Sequence, residues 1–344
     1  MKNKLLLTTA LVGTVALSGA AIAETKVKGN VETTYRSNSY DKAADKITGG
    51  SGFGMETNLG AVTTKDLDNG MSLKAGMNIE TGNTGSSTTD KEQTTSDVGY
   101  VEVSSGNFSV HVGQDYGNNL NTIGIPTVGD NYIDASAASL ATTAKDLSEE
   151  AHDALHLGLA GKFDAGTVFL NYAPDNSVKN ATKSAGDSGI ADNAGSALEI
   201  GAKLSPVDGL SLQLGQQEDK QTIDSGSTSE AKQQFISAKY SMGQFAVGAS
   251  RRTFDKGGTS SGTNDYENTS YGVTYAANDN LSVGLQYGES AEGNDTVDEE
   301  VTMLSVGYNM GGMGIEFSYA QVENLGAGSG TDVESIQIRT ITKF

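Results

Sequence analysis

Three histidines, forty-three carboxylates and no cysteine set the chemistry open to this chain. His152 and His156 are four residues apart with Asp153 between them, a spacing that on a helix would offer two imidazoles to one metal ion. The segment reads instead as a loop entering a strand, so no metal site is assigned there. Asp66, Asp68 and Asn69 resemble the opening of a calcium loop, but the later ligands and the downstream bidentate Glu are missing. The absence of Cys excludes disulfides, zinc-thiolate sites and cysteine nucleophiles. General acid–base work needs a dry pocket to shift a carboxyl group. Runs such as Asp298-Glu299-Glu300 read as solvated loop, with a bound calcium ion as the secondary reading. No catalytic residue and no cofactor is expected.

The cations are more informative, because of the parity on which they fall. Lys26, Lys28, Arg36, Lys74, Arg339 and Lys343 all sit opposite an apolar set in segments of strict alternation. The last twelve residues show this best. Ile336, Ile338, Thr340, Thr342 and Phe344 form one parity; Ser335, Gln337, Arg339, Ile341 and Lys343 form the other. That is a strand with an apolar face and a wet face, and the sequence ends on its Phe. Such a strand is expected to pair with the first one, closing the sheet and removing both edges. His111 falls on the wet parity of its own segment and is expected on the wall of the enclosed space.

The same alternation recurs along the chain. Val27 to Tyr35 opens it, Phe53 to Ala61 follows, and the turn Asp68-Asn69-Gly70 leads into Met71 to Ile79. Further pairs turn at Gly106-Asn107, Asp164-Ala165-Gly166, Pro206 to Gly209, Gly243, Asn278 to Asn280 and Gly311-Gly312. The total is about sixteen strands. Connections after even-numbered strands are short; those after odd-numbered strands are long and rich in Gly, Ser, Thr, Asp and Asn. Aromatics of the apolar face gather at strand ends: Tyr35, Phe53, Tyr172, Tyr271, Tyr287 and Tyr319 at the loop end, and Phe108, Phe163, Tyr240, Phe245, Tyr275, Tyr308 and Phe344 at the turn end. A barrel in lipid wants both features, two interfacial rings and an asymmetry of turns. The three prolines, Pro126, Pro174 and Pro206, all lie in connections.

Residues 1–23 read as a secretory signal: Lys2 and Lys4, the apolar run Leu5 to Leu17, and the small-residue site Ala21-Ile22-Ala23 before Glu24. Residues 24–344 then form the barrel domain. Removing Lys2 and Lys4 from the 23 basic residues leaves 21 against 43 acidic, a net charge of −22 that argues against nucleic-acid binding. Hydrophobic content of 36% is poor for a filled interior and suits a wet interior within a thin apolar skin.

The signal, the sixteen alternating segments, the asymmetric connections and the terminal Phe344 together resemble the trimeric general porins of Gram-negative bacteria, across the whole mature chain. The resemblance implies an all-β transmembrane antiparallel barrel in the bacterial outer membrane. It implies a homotrimer in contact with outer-membrane lipid and lipopolysaccharide, and passive diffusion of ions and small hydrophilic solutes. It makes Phe344 the assembly signal read by the outer-membrane insertion machinery. The Pro-Glu-Phe-Gly-Gly stretch of enterobacterial porins is absent; Ile125-Pro126-Thr127-Val128-Gly129-Asp130 stands in its place, so eyelet residues do not carry over.

The long break from Tyr116 to about His152 is expected to be the third loop, folded into the lumen, irregular over Gly117 to Asp130 and with one or two helical turns over Asp134 to Ala151. Its acidic residues Asp115, Asp130, Asp134, Asp146, Glu149 and Glu150 are expected to narrow the pore. They would face a basic wall of Lys28, Arg36, Lys74 and Arg339 and favour cations. Two other readings compete: a substrate-specific channel with the same wall, and a secreted β-rich adhesin or surface-layer protein.

Overall fold

The computed structural model describes residues 24–42, 50–83, 93–114, 116–120, 124–129, 155–174, 196–222, 228–255, 266–292, 298–324 and 331–344. The expected signal at 1–23 and most of the third loop lie outside the described residues.

Sixteen antiparallel strands close into one barrel in simple up-and-down order. They are β1 (Glu24–Lys42), β2 (Ser51–Asp66), β3 (Ser72–Asn83), β4 (Gln93–Ser105), β5 (Phe108–Gln114), β6 (His156–Phe163), β7 (Gly166–Ala173) and β8 (Ala197–Leu204). The second half comprises β9 (Leu210–Thr222), β10 (Thr228–Met242), β11 (Phe245–Asp255), β12 (Tyr266–Ala276), β13 (Leu281–Glu292), β14 (Glu299–Asn309), β15 (Met313–Glu323) and β16 (Thr331–Lys343). Closure is made by β1 against β16, with Asn30 opposite Lys343 and Lys42 opposite Thr331. Just beyond β16, the backbone of Phe344 exchanges two hydrogen bonds with Gly29, of 3.0 and 2.9 Å. The terminal residue thus completes the ladder, and no edge is left unpaired.

Local sequence explains the turns. The Asn-Gly pair after β2 puts Gly70 at φ 80°, and Asn69 Oδ1 accepts from the Met71 amide at 3.2 Å. The connection between β4 and β5 is the two-residue Gly106-Asn107 turn.

Each strand then has two chemically distinct faces. Phe53, Val101, Phe108, Leu159, Ile200, Ile236, Leu285, Leu304 and Ile338 are exposed on the outside. His111, Asn171, Glu199, Gln217, Gln233, Ser270, Gln286 and Ser335 are buried on the inside. This inverts a soluble protein, and it is the arrangement a barrel in lipid requires. Outer-face aromatics pair across strands at both ends: Tyr35 with Phe53 and Tyr271 with Tyr287 at the loop end, Phe108 with Phe163 and Phe245 with Tyr275 at the turn end.

The inner face is not uniformly polar. Leu120 packs with Phe169 and Phe235 against Ala160. Val301, Met303, Ala320, Val322 and Val333 form a second buried apolar patch on β14, β15 and β16. Low overall hydrophobicity gave no hint of either.

Candidate functional site: the third loop on the inner wall

The site is built where the chain leaves β5. Two stretches of the loop that follows, 116–120 and 124–129, lie against inward-facing side chains of most of the barrel. The first stretch is held through its backbone by successive strands. His156 of β6 bonds the Tyr116 carbonyl at 3.1 Å. Asn171 of β7 donates to the Asn118 carbonyl at 2.6 Å, and Gln213 of β9 donates to the Asn119 carbonyl at 3.0 Å. Glu199 of β8 accepts from the Leu120 amide at 3.2 Å and from Asn171 Nδ2 at 2.8 Å. Loop carbonyls and amides buried in this way need partners, and four neighbouring strands supply one each. Leu120, fully buried, adds an apolar contact.

The second stretch fits a wall that has been kept bare. A Cβ on Gly248 of β11 would lie 2.7 Å from Pro126 Cδ, and one on Gly272 of β12 would lie 2.6 Å from the Pro126 carbonyl. Ile125, Pro126 and Val128 are buried by the approach.

At the loop entry stands an aromatic and imidazole cluster. Tyr116 stacks on Tyr100 of β4 with ring centroids 3.4 Å apart, and Lys74 of β3 donates to the Tyr116 hydroxyl at 3.0 Å. Burial pushes the Tyr116 phenol up to about 12; Glu102 adds to the shift and Lys74 opposes it, so the ring stays neutral at ordinary pH. His111 Nε2 lies 3.1 Å from His156 Nε2, with the rings nearly perpendicular and both side chains buried. His156 therefore partners His111, forty-five residues away. His152, considered with it as a metal pair, lies outside the described residues. No group of three or more potential metal-ligating side chains occurs among the described residues.

The cations of the expected basic wall lie on β16, β1 and β3, within four neighbouring strands of the barrel. Lys28 and Arg36 lie on β1, and Lys74 is drawn to the loop through Tyr116. Arg339 of β16 is not an open cation: Glu316 of β15 sits 2.7 Å from its Nη2 and Glu32 of β1 sits 3.3 Å from its Nη1. The closing registers bring these strands together, with Arg339 opposite both Thr34 and Glu316. The acidic residues Asp115, Asp130, Asp134, Asp146, Glu149 and Glu150 all lie outside the described residues.

Sequence reasoning missed Tyr116, Asn171, Glu199 and Gln213 as loop holders. The available signal was a long polar side chain at inward parity on consecutive strands. It was hidden by the many other polar residues of the same parity.

A closed sixteen-strand barrel, apolar outside and polar inside, with residues 116–120 and 124–129 against the inner wall, defines a channel of the porin class. The chain belongs to the Gram-negative porin family, whose model matches residues 8–327. It is accordingly a protein of the bacterial outer membrane and not an enzyme. Among solved structures it is similar to the anion-selective porin from Comamonas acidovorans, at 16% identity and TM-score 0.66, covering 94% of this chain and 100% of that one. A loop L8 deletion mutant of OmpT, an outer membrane protein of Vibrio cholerae, matches at 12% identity and TM-score 0.65, covering 94% and 99%. The trimer form of in-vitro folded OmpT matches at 12% identity and TM-score 0.61, covering 94% and 99%. No curated protein matches the chain.

Proposed function

We propose that this porin forms a homotrimeric, water-filled channel through which ions and small hydrophilic solutes diffuse passively, with a preference for cations. The observation that carries the reading is the polar inner face with residues 116–120 and 124–129 lying against it, which supports a wetted wall narrowed by the loop. Cation preference is supported by the net charge of −22 left when Lys2 and Lys4 of the signal are removed (21 basic against 43 acidic residues) and by inward carboxylates such as Glu32, Glu102 and Glu316. The acidic loop residues Asp115, Asp130, Asp134, Asp146, Glu149 and Glu150 add to it, opposed by Lys28, Arg36 and Lys74. The Comamonas acidovorans porin is anion-selective, so selectivity does not follow from the fold and depends on these side chains. OmpT, which has a trimer form, supports the trimer. Residues 1–23 serve as the signal peptide, and Phe344 as the mark read by the insertion machinery.

The test is single-channel recording in a planar bilayer under a salt gradient. A reversal potential of cationic sign is expected. An anionic sign would remove the cation preference, and the absence of conductance would remove the channel.

A further inference from the structure

The inner wall between β8 and β10 carries two cations that the expected basic wall did not include. On β8, Ile200 faces outward and Glu199 inward, which puts Lys203 on the inner face. On β10, Ile236 and Tyr240 face outward, which puts Lys239 on the inner face too. Lys203 stands opposite Gln213 of β9, Gln213 opposite Ser237 of β10, and Ser211 opposite Lys239. One strand therefore separates the two lysines. Their backbones stand about 10 Å apart at ordinary strand spacing, so any meeting is made by their side chains, above Ser211 and Gln213.

The side chains do meet, around one cavity. It measures about 170 Å³ and is lined by Lys203, Lys239, Ser211, Ser237 and Gln213, with Gly124 of the loop. The loop closes it on one side. A Cβ on Gly124 would fall onto the Ser237 hydroxyl, and Pro126 lies on Gly248, the residue opposite Lys239 in β11. Gln213 ties the cavity to the loop by donating to the Asn119 carbonyl at 3.0 Å. Lys203 Nζ lies 6.0 Å from the centre of the Phe169 ring, so the apolar cluster that seats Leu120 also positions this cation.

The lining suits an anion. An ammonium can only donate, and a serine hydroxyl can donate. Two like charges on one cavity repel, and an anion between them replaces that repulsion with two attractions. No lining residue is acidic. Glu199, two residues from Lys203 on the same face of β8, is not in the lining; it accepts from the Leu120 amide and from Asn171 under the loop. Lysine is a compact point charge with three donors, which serves a carboxylate or a phosphate equally well. The volume is below the roughly 300–1,000 Å³ usual for a whole small-molecule ligand, so one end of a solute fits and the rest stays in the lumen.

We propose that this cavity is a subsite for the oxyanion end, carboxylate or phosphate, of a small solute, with Lys203 and Lys239 as its cations and Ser211 and Ser237 as its hydroxyl donors. It lies beside the loop on the β8–β10 wall, apart from Lys28, Arg36, Lys74 and Arg339. It holds a passing anion for a time without setting the overall ion preference, which the excess of carboxylates governs.

The proposal rests on the channel reading above for how the solute arrives, and two measurements keep them separable. In the first, potassium chloride current through single channels is recorded while inorganic phosphate or acetate is added at constant ionic strength. Concentration-dependent block of wild type is expected. Block by phosphate alone or by acetate alone would keep the site and name its oxyanion. In K203Q and K239Q the half-blocking concentration is expected to rise about tenfold or more, the loss of one charge-assisted hydrogen bond. K239R keeps the charge and should keep the block. Lys343, inward by parity on β16 and half-way round the barrel from β8, supplies the control: K343Q should block as wild type does. In the second measurement, purified protein in detergent should broaden the phosphorus resonance of inorganic phosphate, and K203Q and K239Q should not. If one variant fails to fold, the other reads the same cavity. Neither anion blocking, block unchanged in a folded variant, or an equal loss in K343Q would overturn the subsite. A protein that conducts nothing would overturn the channel reading, and the broadening would still decide the subsite.

Discussion

Arg339 Nη2 lies 2.7 Å from Glu316 Oε2, on adjoining strands of the closing seam, and Glu32 approaches the same guanidinium from the other side at 3.3 Å. Two carboxylates meet one cation, so Arg339 does not stand as a bare positive charge on the inner wall. Charge-assisted contacts of this kind fix a planar guanidinium firmly.

Replacing Arg339 by Gln removes one positive charge beside Glu316 and Glu32 and should raise cation preference. A unit charge at 4 Å in water acts with about 1 kcal/mol, so a rise of roughly two- to fivefold in the cation-to-anion permeability ratio is expected. Neutralising Lys28 and Lys74 should act in the same direction. The reversal potential measures both; a shift toward anions would show that these groups do not set the field.

The backbone of Phe344 pairs with Gly29, and its ring covers the place where a Gly29 Cβ would be, 2.6 Å from two ring carbons. Deleting Phe344 removes two ladder hydrogen bonds at the seam and an exposed aromatic at the turn end. The amount of folded trimer in the outer membrane should fall. Gly29→Val should reproduce part of the loss by pushing the ring aside. Normal yields of heat-modifiable trimer from the deletion would leave no assembly role for this residue.

The backbone clamp on 116–120 should be sensitive to its acceptor. Glu199→Ala removes the acceptor of the Leu120 amide and one of the two acceptors of Asn171 Nδ2, which keeps the Asn118 carbonyl; the buried Leu120 amide left unsatisfied costs about 1–3 kcal/mol. The loop should loosen while the barrel persists. Open-channel noise and faster exchange of the Leu120 amide would report it; unchanged exchange would place the hold elsewhere, on Leu120 and Pro126.

Deleting 130–145 tests the expected constriction directly. Conductance should rise and selectivity weaken while trimers still form, because the removed stretch carries Asp130 and Asp134. Equal conductance before and after would mean that this loop is not the constriction.

The architecture was legible in the sequence because a membrane barrel writes itself with a period of two. Val27 to Tyr35 and Ile336 to Phe344 declare which face meets lipid, and Asn69-Gly70 and Gly106-Asn107 declare where the chain reverses. An approximate strand number and the closing of the last strand on the first follow from such local signals. What the sequence could not decide is which inward residues meet. Parity names a face but not a height on it or a neighbour around the barrel. So Arg339 counted as a free cation until the register set it between Glu32 and Glu316. His156 was weighed against His152, its neighbour in the chain, whereas the β5–β6 pairing placed it on His111. Contacts such as Asn171 to Asn118 and Pro126 to Gly248 depend on a loop lying across strands far apart in sequence, a matter of closure and shear that only the tertiary structure settles.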